Sequence, residues 1–388
     1  MVVAGEPVKA EERRASQPKV GRYTGQVVYI YAFDVAYDMA HEPVGHLLGQ
    51  PLVPFVIGTG KRTPKQLFFY QPRMVRLPEW ERVGPLGPMR LQCVLKLLPV
   101  GALSITVRTP FSVARIEDLV AFHDLRFSES TLHSEVRRLA EQAVAELRGI
   151  LVRPQPQLPE EEAYTVFCLE SPLLTPEGLK ISAESWFQAH RRQTAALLTQ
   201  EENVERLSKQ EADESTGRYL SYYEDDLVVL DWDAALLIDE PADFDETLYI
   251  MELANLQLAE LEAYDRIVDD ALERAYRDLG EQPLRSRAGV LRELRELRID
   301  LARLNDELLN ITKFFGDWHL ARIYEKLAAR FHLGEWHRTL DGKLRTLDEL
   351  YQILQHDKTN RWMLALESLI VLLFIVDLVV LIFGFKGP

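Results

Sequence analysis

From Trp362 to Phe385 the chain reads WMLALESLIVLLFIVDLVVLIFGF, with no Lys, Arg or Pro. At ~1.5 Å per residue such a run makes roughly 36 Å of helix, enough to cross a ~30 Å hydrocarbon core. The sequence therefore predicts one transmembrane helix over 361–385. Lys343, Arg345, Lys358 and Arg361 precede the run and only Lys386 follows it. Positive charge would then hold the body on the cytoplasmic side, at a bacterial or archaeal inner membrane or, in a eukaryote, an organelle inner membrane. Only a short tail follows Phe385, so the expectation is a single-pass, tail-anchored protein with the lipid bilayer as a partner. Two acids interrupt the run. Glu367 sits near its start and could snorkel to the interface. Asp377 lies deeper, where an ionised carboxylate costs roughly 2.5–3.5 kcal/mol. That cost is met either by an intramembrane contact with other helices or by protonation of an acid with no role.

The remaining residues suffice for one large or two medium domains. Cys93 and Cys168 lie in apolar, strand-like contexts, which suits buried free thiols and a reducing compartment rather than a disulfide framework. The formal charge is −15, and between Gln200 and Glu246 sixteen Asp and Glu face three Lys and Arg. This acidity argues against direct nucleic-acid binding, which needs a basic footprint. It suits cations, a basic protein partner, or simply a solvated acidic face. The first twenty residues lack an apolar core and read as a disordered arm, 1–20.

The fold class expected is α+β: a mixed α/β region, a long-helix region resembling a coiled coil, and the terminal span. Strand-forming residues cluster at Tyr23–Phe33, Gln66–Tyr70, Leu91–Leu98 and Ala102–Thr109, the last after the turn-forming Pro99 and Gly101. Helical patterns follow at Ile116–Asp124 and Glu129–Leu151. These make a first region, 21–152, closed by a Pro-rich linker at 153–160. A second, acidic α/β region, 161–244, holds a strand at Tyr164–Leu169, a largely helical Ser182–Gln210, and LVVLDWDAALLID at 227–239. The last reads as one or two strands with a turn at Asp231–Asp233. Asp231 and Asp233 share a face of an extended strand, and with Glu224, Asp225 and Asp226 they could collect a hard divalent cation such as Mg²⁺. Turn acids without a metal fit the same pattern, and no other cofactor is expected.

Residues 245–360 read as a helical stalk or hairpin, opening with a helix over Glu246–Leu279. Val290, Leu294, Leu297, Leu301, Leu304, Leu308, Ile311 and Phe315 follow spacings of 4 and 3 in strict alternation, a heptad seam suited to self-association. A helix at Trp318–Leu333 follows. Leu340, Leu344, Leu347, Tyr351 and Leu354 make a second seam. Either seam could pack within one chain or between chains.

No motif carries a catalytic mechanism. Gly58-Thr59-Gly60-Lys61 is only superficially like a phosphate loop, because Phe55 stands where the first glycine belongs and Arg62 where Ser or Thr should be. His332 and His337 straddle Gly334. The chain is therefore not expected to be an enzyme.

Several stretches resemble the "required for meiotic nuclear division" family: YYEDDLVVLDWDAALLID, ELANLQLAELEAYDRIVD, GDWHLARIYEKLAARFHLGEWHRTLDGKL and the LES-type apolar segment. The likeness covers mainly residues 219–385 and is closest to an uncharacterised prokaryotic branch. It implies a membrane-bound, oligomeric protein and carries over no catalytic residues. The function expected is a homo-oligomeric scaffold or partner-docking platform for a protein partner that the sequence does not name. The alternative is a subunit of a divalent-cation channel with CorA-like architecture, Asp377 lining its pore. That likeness is one of layout alone, since the Gly-Met-Asn signature of such channels is absent.

Overall fold

Runs of β-branched and aromatic residues set the first half of the molecule. Ten strands join in one sheet: Tyr23–Asp34 (β1), Val53–Pro54 (β2), Arg73–Arg76 (β3), Trp80–Gly84 (β4), Gly87–Leu98 (β5), Ala102–Val113 (β6), Glu162–Glu170 (β7), Tyr219–Leu220 (β8), Leu227–Leu230 (β9) and Ala234–Asp239 (β10). Their order is β8-β9-β10-β7-β1-β6-β5-β3-β2, with β4 paired to the outer half of β5. All neighbours are antiparallel except β7 and β10, which run parallel from Thr165↔Ala234 to Glu170↔Asp239. The central strand is β1, with β6 on one side and β7 on the other. This computed structural model describes residues 21–40, 44–55, 72–155, 157–280, 299 and 318–384.

The β5–β6 hairpin closes through Pro99–Gly101, as expected. Gly101 has φ +87°, and a Cβ there would lie 1.9 Å from the Ala36 carbonyl oxygen, so only glycine fits. Alternation along the strands then sorts side chains by face. Val27, Tyr29, Tyr31 and Phe33 join Cys93, Leu95, Ile105, Val107, Phe167 and Leu169 in the main core. Three helices feed that core: Leu132–Leu147 (α1), Ala183–Ala189 (α2) and Arg191–Leu198 (α3). In α1 the buried Leu132, Val136, Ala140, Ala143 and Leu147 recur every three or four residues, and Thr131 with Ser134 forms a capping box at its start. A short helix, Lys209–Ser215 (α4), precedes β8.

The described residues divide into two compact units, one running to Leu256 and taking in Trp318–Arg330 (α6), the other holding the rest. The helix Phe244–Gly280 (α5) begins in the first and continues into the second. In the second unit, Ala271 and Ala275 of α5 cluster with Leu347 of Leu333–Gly384 (α7), flanked by Leu272 and Leu350. Lys343 reaches Asp265 at 2.6 Å and Asp269 at 2.7 Å. Since Lys343 meets 265 and 269 while Leu347 meets 271 and 275, the two helices run in the same direction. Leu340, Leu344 and Leu347 are buried, so this part of the second seam packs within the chain. The first seam, Leu294, Leu297, Leu301, Leu304, Leu308, Ile311 and Phe315, lies outside the described residues. So do the expected strand at Gln66–Tyr70 and the Gly58–Lys61 stretch.

Two expectations are refined. The Pro-rich segment does not separate two sheets, because the stretches before and after it contribute strands to the same one. Its first residues extend Leu151–Pro154, which pairs with Ala36–Met39, an edge role open to extended, Pro-containing backbone. The Ile116–Asp124 helix is a 3₁₀ segment over Ile116–Phe122.

The transmembrane helix of the expected fold class is corrected. Among the described residues no helix is long and apolar enough to cross a membrane. The side chains described within the apolar run extend from Met363 to Val379. Glu367 and Asp377 fall within that stretch. The single-pass, tail-anchored placement with a cytoplasmic body falls with the span. Glu367 and Asp377 thereby lose the span to which their intramembrane roles were tied.

Candidate functional site

On the face opposite the main core, β5 and β6 carry a polar patch instead of hydrocarbon. Gln92 stands opposite Arg108, Val94 opposite Thr106, and Lys96 opposite Ser104. The first turns of α5 answer with one stripe, Asp245, Leu248, Tyr249 and Glu252, spaced three and four apart. Lys96 Nζ and Ser104 Oγ donate to the two carboxylate oxygens of Glu252. Both ionic side chains are nearly dry, at 6% and 5% exposure. Burial pushes the Lys96 ammonium below the usual lysine range, and the Glu252 carboxylate works against that shift. The ammonium also sits 4.1 Å from the Phe55 ring centroid, whose ring packs on Tyr249 at 5.4 Å. At the outer end, Arg108 Nη1 donates to Asp245 Oδ1 at 2.7 Å.

Between these groups lies a cavity of about 220 Å³. Ile30, Phe55, Met74, Val94 and Leu248 form its apolar walls, and Arg76, Gln92, Lys96, Thr106, Arg108 and Tyr249 its polar ones. Three of its polar atoms are buried without a hydrogen-bond partner among the described residues: Thr106 Oγ1, Arg108 Nε and the Tyr249 hydroxyl. Burying such a group unpaired costs roughly 1–3 kcal/mol. Chemically the site offers binding. Its buried acid and base are consumed by each other, while donors are left over.

Residues 24–245 match the family model described as the N-terminal domain of the uncharacterized protein MJ0711. That is more than half of the chain. The chain belongs to this family. The uncharacterized protein MJ0711 of Methanocaldococcus jannaschii is 25% identical over 222 residues, 56% of this chain and 65% of the relative, so less than two thirds of the relative's length is covered. The MJ0711 N-terminal domain thus supplies the sheet and every strand-borne residue of the cavity. Leu248, Tyr249 and Glu252 follow just beyond its last matched residue.

A second polar node of the MJ0711 N-terminal domain holds the acids singled out for a cation. Asp231 and Asp233 lie in the β9–β10 turn, as expected. Asp231 Oδ1 accepts from Arg330 Nη2 and from the Trp232 N–H at 2.8 Å, and Oδ2 accepts from Ser215 Oγ. The Tyr164 hydroxyl donates to the Asp231 and Ala234 carbonyl oxygens, each at 3.1 Å. Desolvation, and then the neighbouring Asp231 charge, raise the Asp233 carboxyl above its usual value, with Arg330 opposing. The chain thus brings Asp231 to a guanidinium rather than to further acids. Among the described residues no group of three or more His, Cys, Asp or Glu could hold a metal ion. Asp226 Oδ1 accepts from the Tyr222 N–H at 2.6 Å, and Asp225 lies 3.6 Å from Lys180. Cys93 and Cys168 are free and buried, and burial pushes the Cys93 thiol up to about 12.

Sequence reasoning passed over Lys96, Ser104, Thr106, Arg108, Tyr249 and Glu252. A usable signal was present: Lys96 interrupts the apolar run LQCVLKLL, and Ser104, Thr106 and Arg108 occupy every second position of β6. The partner Glu252 is 156 residues from Lys96, so no spacing motif ties them.

Proposed function

We propose that the protein is a self-associating platform for docking a protein partner, in which copies join through the Met363–Val379 band of α7. The observation carrying this reading is that consecutive residues Leu369, Ile370, Val371, Leu372 and Leu373 are each 47–61% exposed. Consecutive residues point to every side of a helix, and a helix apolar all round is stable only when covered all round. Each Å² so covered contributes about 25 cal/mol. Equivalent helices gathered in a bundle each bring a matching apolar band and cover one another's inward faces. The occupant is therefore a second copy of this chain. The likeness of residues 219–385 to the "required for meiotic nuclear division" family, which implies an oligomer, supports the same reading. In this reading the protein is not an enzyme.

Sedimentation of the full chain in mild detergent, beside a chain ending at Asn360, tests it. The expected result is a discrete oligomer for the full chain, reduced to monomer by the truncation and by Ile370→Lys with Leu373→Lys. A full chain that stays monomeric, or that partitions onto lipid vesicles as a monomer, overturns self-association.

A further inference from the structure

We propose that the cavity between the β5–β6 hairpin and the start of α5 binds a small organic anion, a carboxylate or phosphate head on a compact apolar body. The inference is independent of self-association, which involves α7.

The polarity of the head follows from the leftover hydrogen-bonding groups. Arg108 Nε can only donate, and it is buried without an acceptor. The hydroxyls of Thr106 and Tyr249 are 4% and 2% exposed as residues and are likewise unpartnered. All three residues line the cavity, so an acceptor-rich head there meets a wall that holds unused donors. The fixed charges agree. Lys96 is cancelled by Glu252 and Arg108 is paired with Asp245, while Arg76 at the rim forms no ion pair among the described residues. One positive charge is left over, which favours an anion and repels a cation.

The body follows from the rest of the wall. Ile30, Phe55, Met74 and Leu248 offer hydrocarbon and an aromatic ring, surface that a bare inorganic ion would leave uncovered. Size sets the upper limit. Drug-sized ligands occupy sites of roughly 300–1,000 Å³, so about 220 Å³ admits a single ring with its head but not a nucleotide.

Calorimetric titration of the full chain with phenyl phosphate, benzoate, inorganic phosphate and benzylamine tests the proposal. Phenyl phosphate or benzoate is expected to bind more tightly than inorganic phosphate, and benzylamine to give no heat. Thr106→Val and Tyr249→Phe should each weaken the bound probe about tenfold. The same variants should keep or raise the thermal midpoint, because each removes a hydroxyl that is unpaired in the free protein. A purely structural role predicts the reverse, a lower midpoint. No heat from either organic anion with folded protein overturns the proposal. So does unchanged affinity in both variants, or a preference for benzylamine.

Discussion

The two faces of the β5–β6 hairpin are made from alternate residues of the same two twelve-residue strands, yet they meet burial in opposite ways. One presents Cys93, Leu95, Ile105 and Val107 to the main core. The other presents Lys96, Ser104 and Thr106 and buries them almost as completely. Hydrocarbon needs only close packing, and its stabilisation is spread over many small contacts. The polar face must instead complete a set of partners, and its energy is concentrated in a few atoms. It completes the set around Glu252 and leaves it open around Thr106, Arg108 and Tyr249. Where a helix is laid over polar strands, the unfilled positions mark the part of the molecule shaped by something other than stability.

The sharpest way to break the comparison is Glu252→Ala, which strands the Lys96 ammonium in a dry site. We expect a loss of about 3–5 kcal/mol in urea unfolding. Replacing the pair together, Lys96→Met with Glu252→Leu, should recover most of it, showing that this face does not need charge in order to fold. A double variant as unstable as the single one would refute that. On the apolar face the matching change, Ile105→Val, should cost only about 0.5–1.5 kcal/mol, because its loss is one methylene and a small cavity.

The smallest effect concerns pH. His123, beside Phe167, donates its Nε2–H to the Leu197 carbonyl at 2.5 Å. Burial sets its pKa below the usual 6.5, with that hydrogen bond acting the other way. On acidification the unfolded chain therefore takes up the proton first. Its contribution to stability is complete above about pH 6.5 and declines as the pH falls below that. The urea midpoint should drop between about pH 7.5 and pH 5.5, and His123→Gln should flatten that slope.

The fold was legible wherever one physical signal dominated. The alternation of β1, β5 and β6, the turn at Gly101 and the acids between β9 and β10 all gave elements close to those observed. Helix length was less legible. Ser182–Gln210 reads as one amphipathic stretch, but it breaks at His190 and again before the 3₁₀ turn at Val204–Arg206. In the terminal run, mean hydropathy points to a span that the structure does not bear out. Among the described residues no helix is long and apolar enough to cross a membrane, and Glu367 and Asp377 interrupt the apolar run. The cavity was illegible for a different reason. Its two halves come from a hairpin and a helix brought together only by the complete sheet, and local pattern carries no record of that meeting.

The position of β1 sets an order of events during synthesis. It holds the middle of the sheet, but it is the first of the ten strands to be made. Its neighbours follow only at Ala102–Val113 and Glu162–Glu170. At about 5–20 residues per second, that wait lasts on the order of seconds. Until the first of these neighbours is made, the segment VVYIYAFD lacks its sheet partners on both edges, and until the second it lacks one. The nascent chain therefore carries this liability to aggregation until β6 and β7 have been made, and a loss of β1 removes the centre of the sheet rather than its margin.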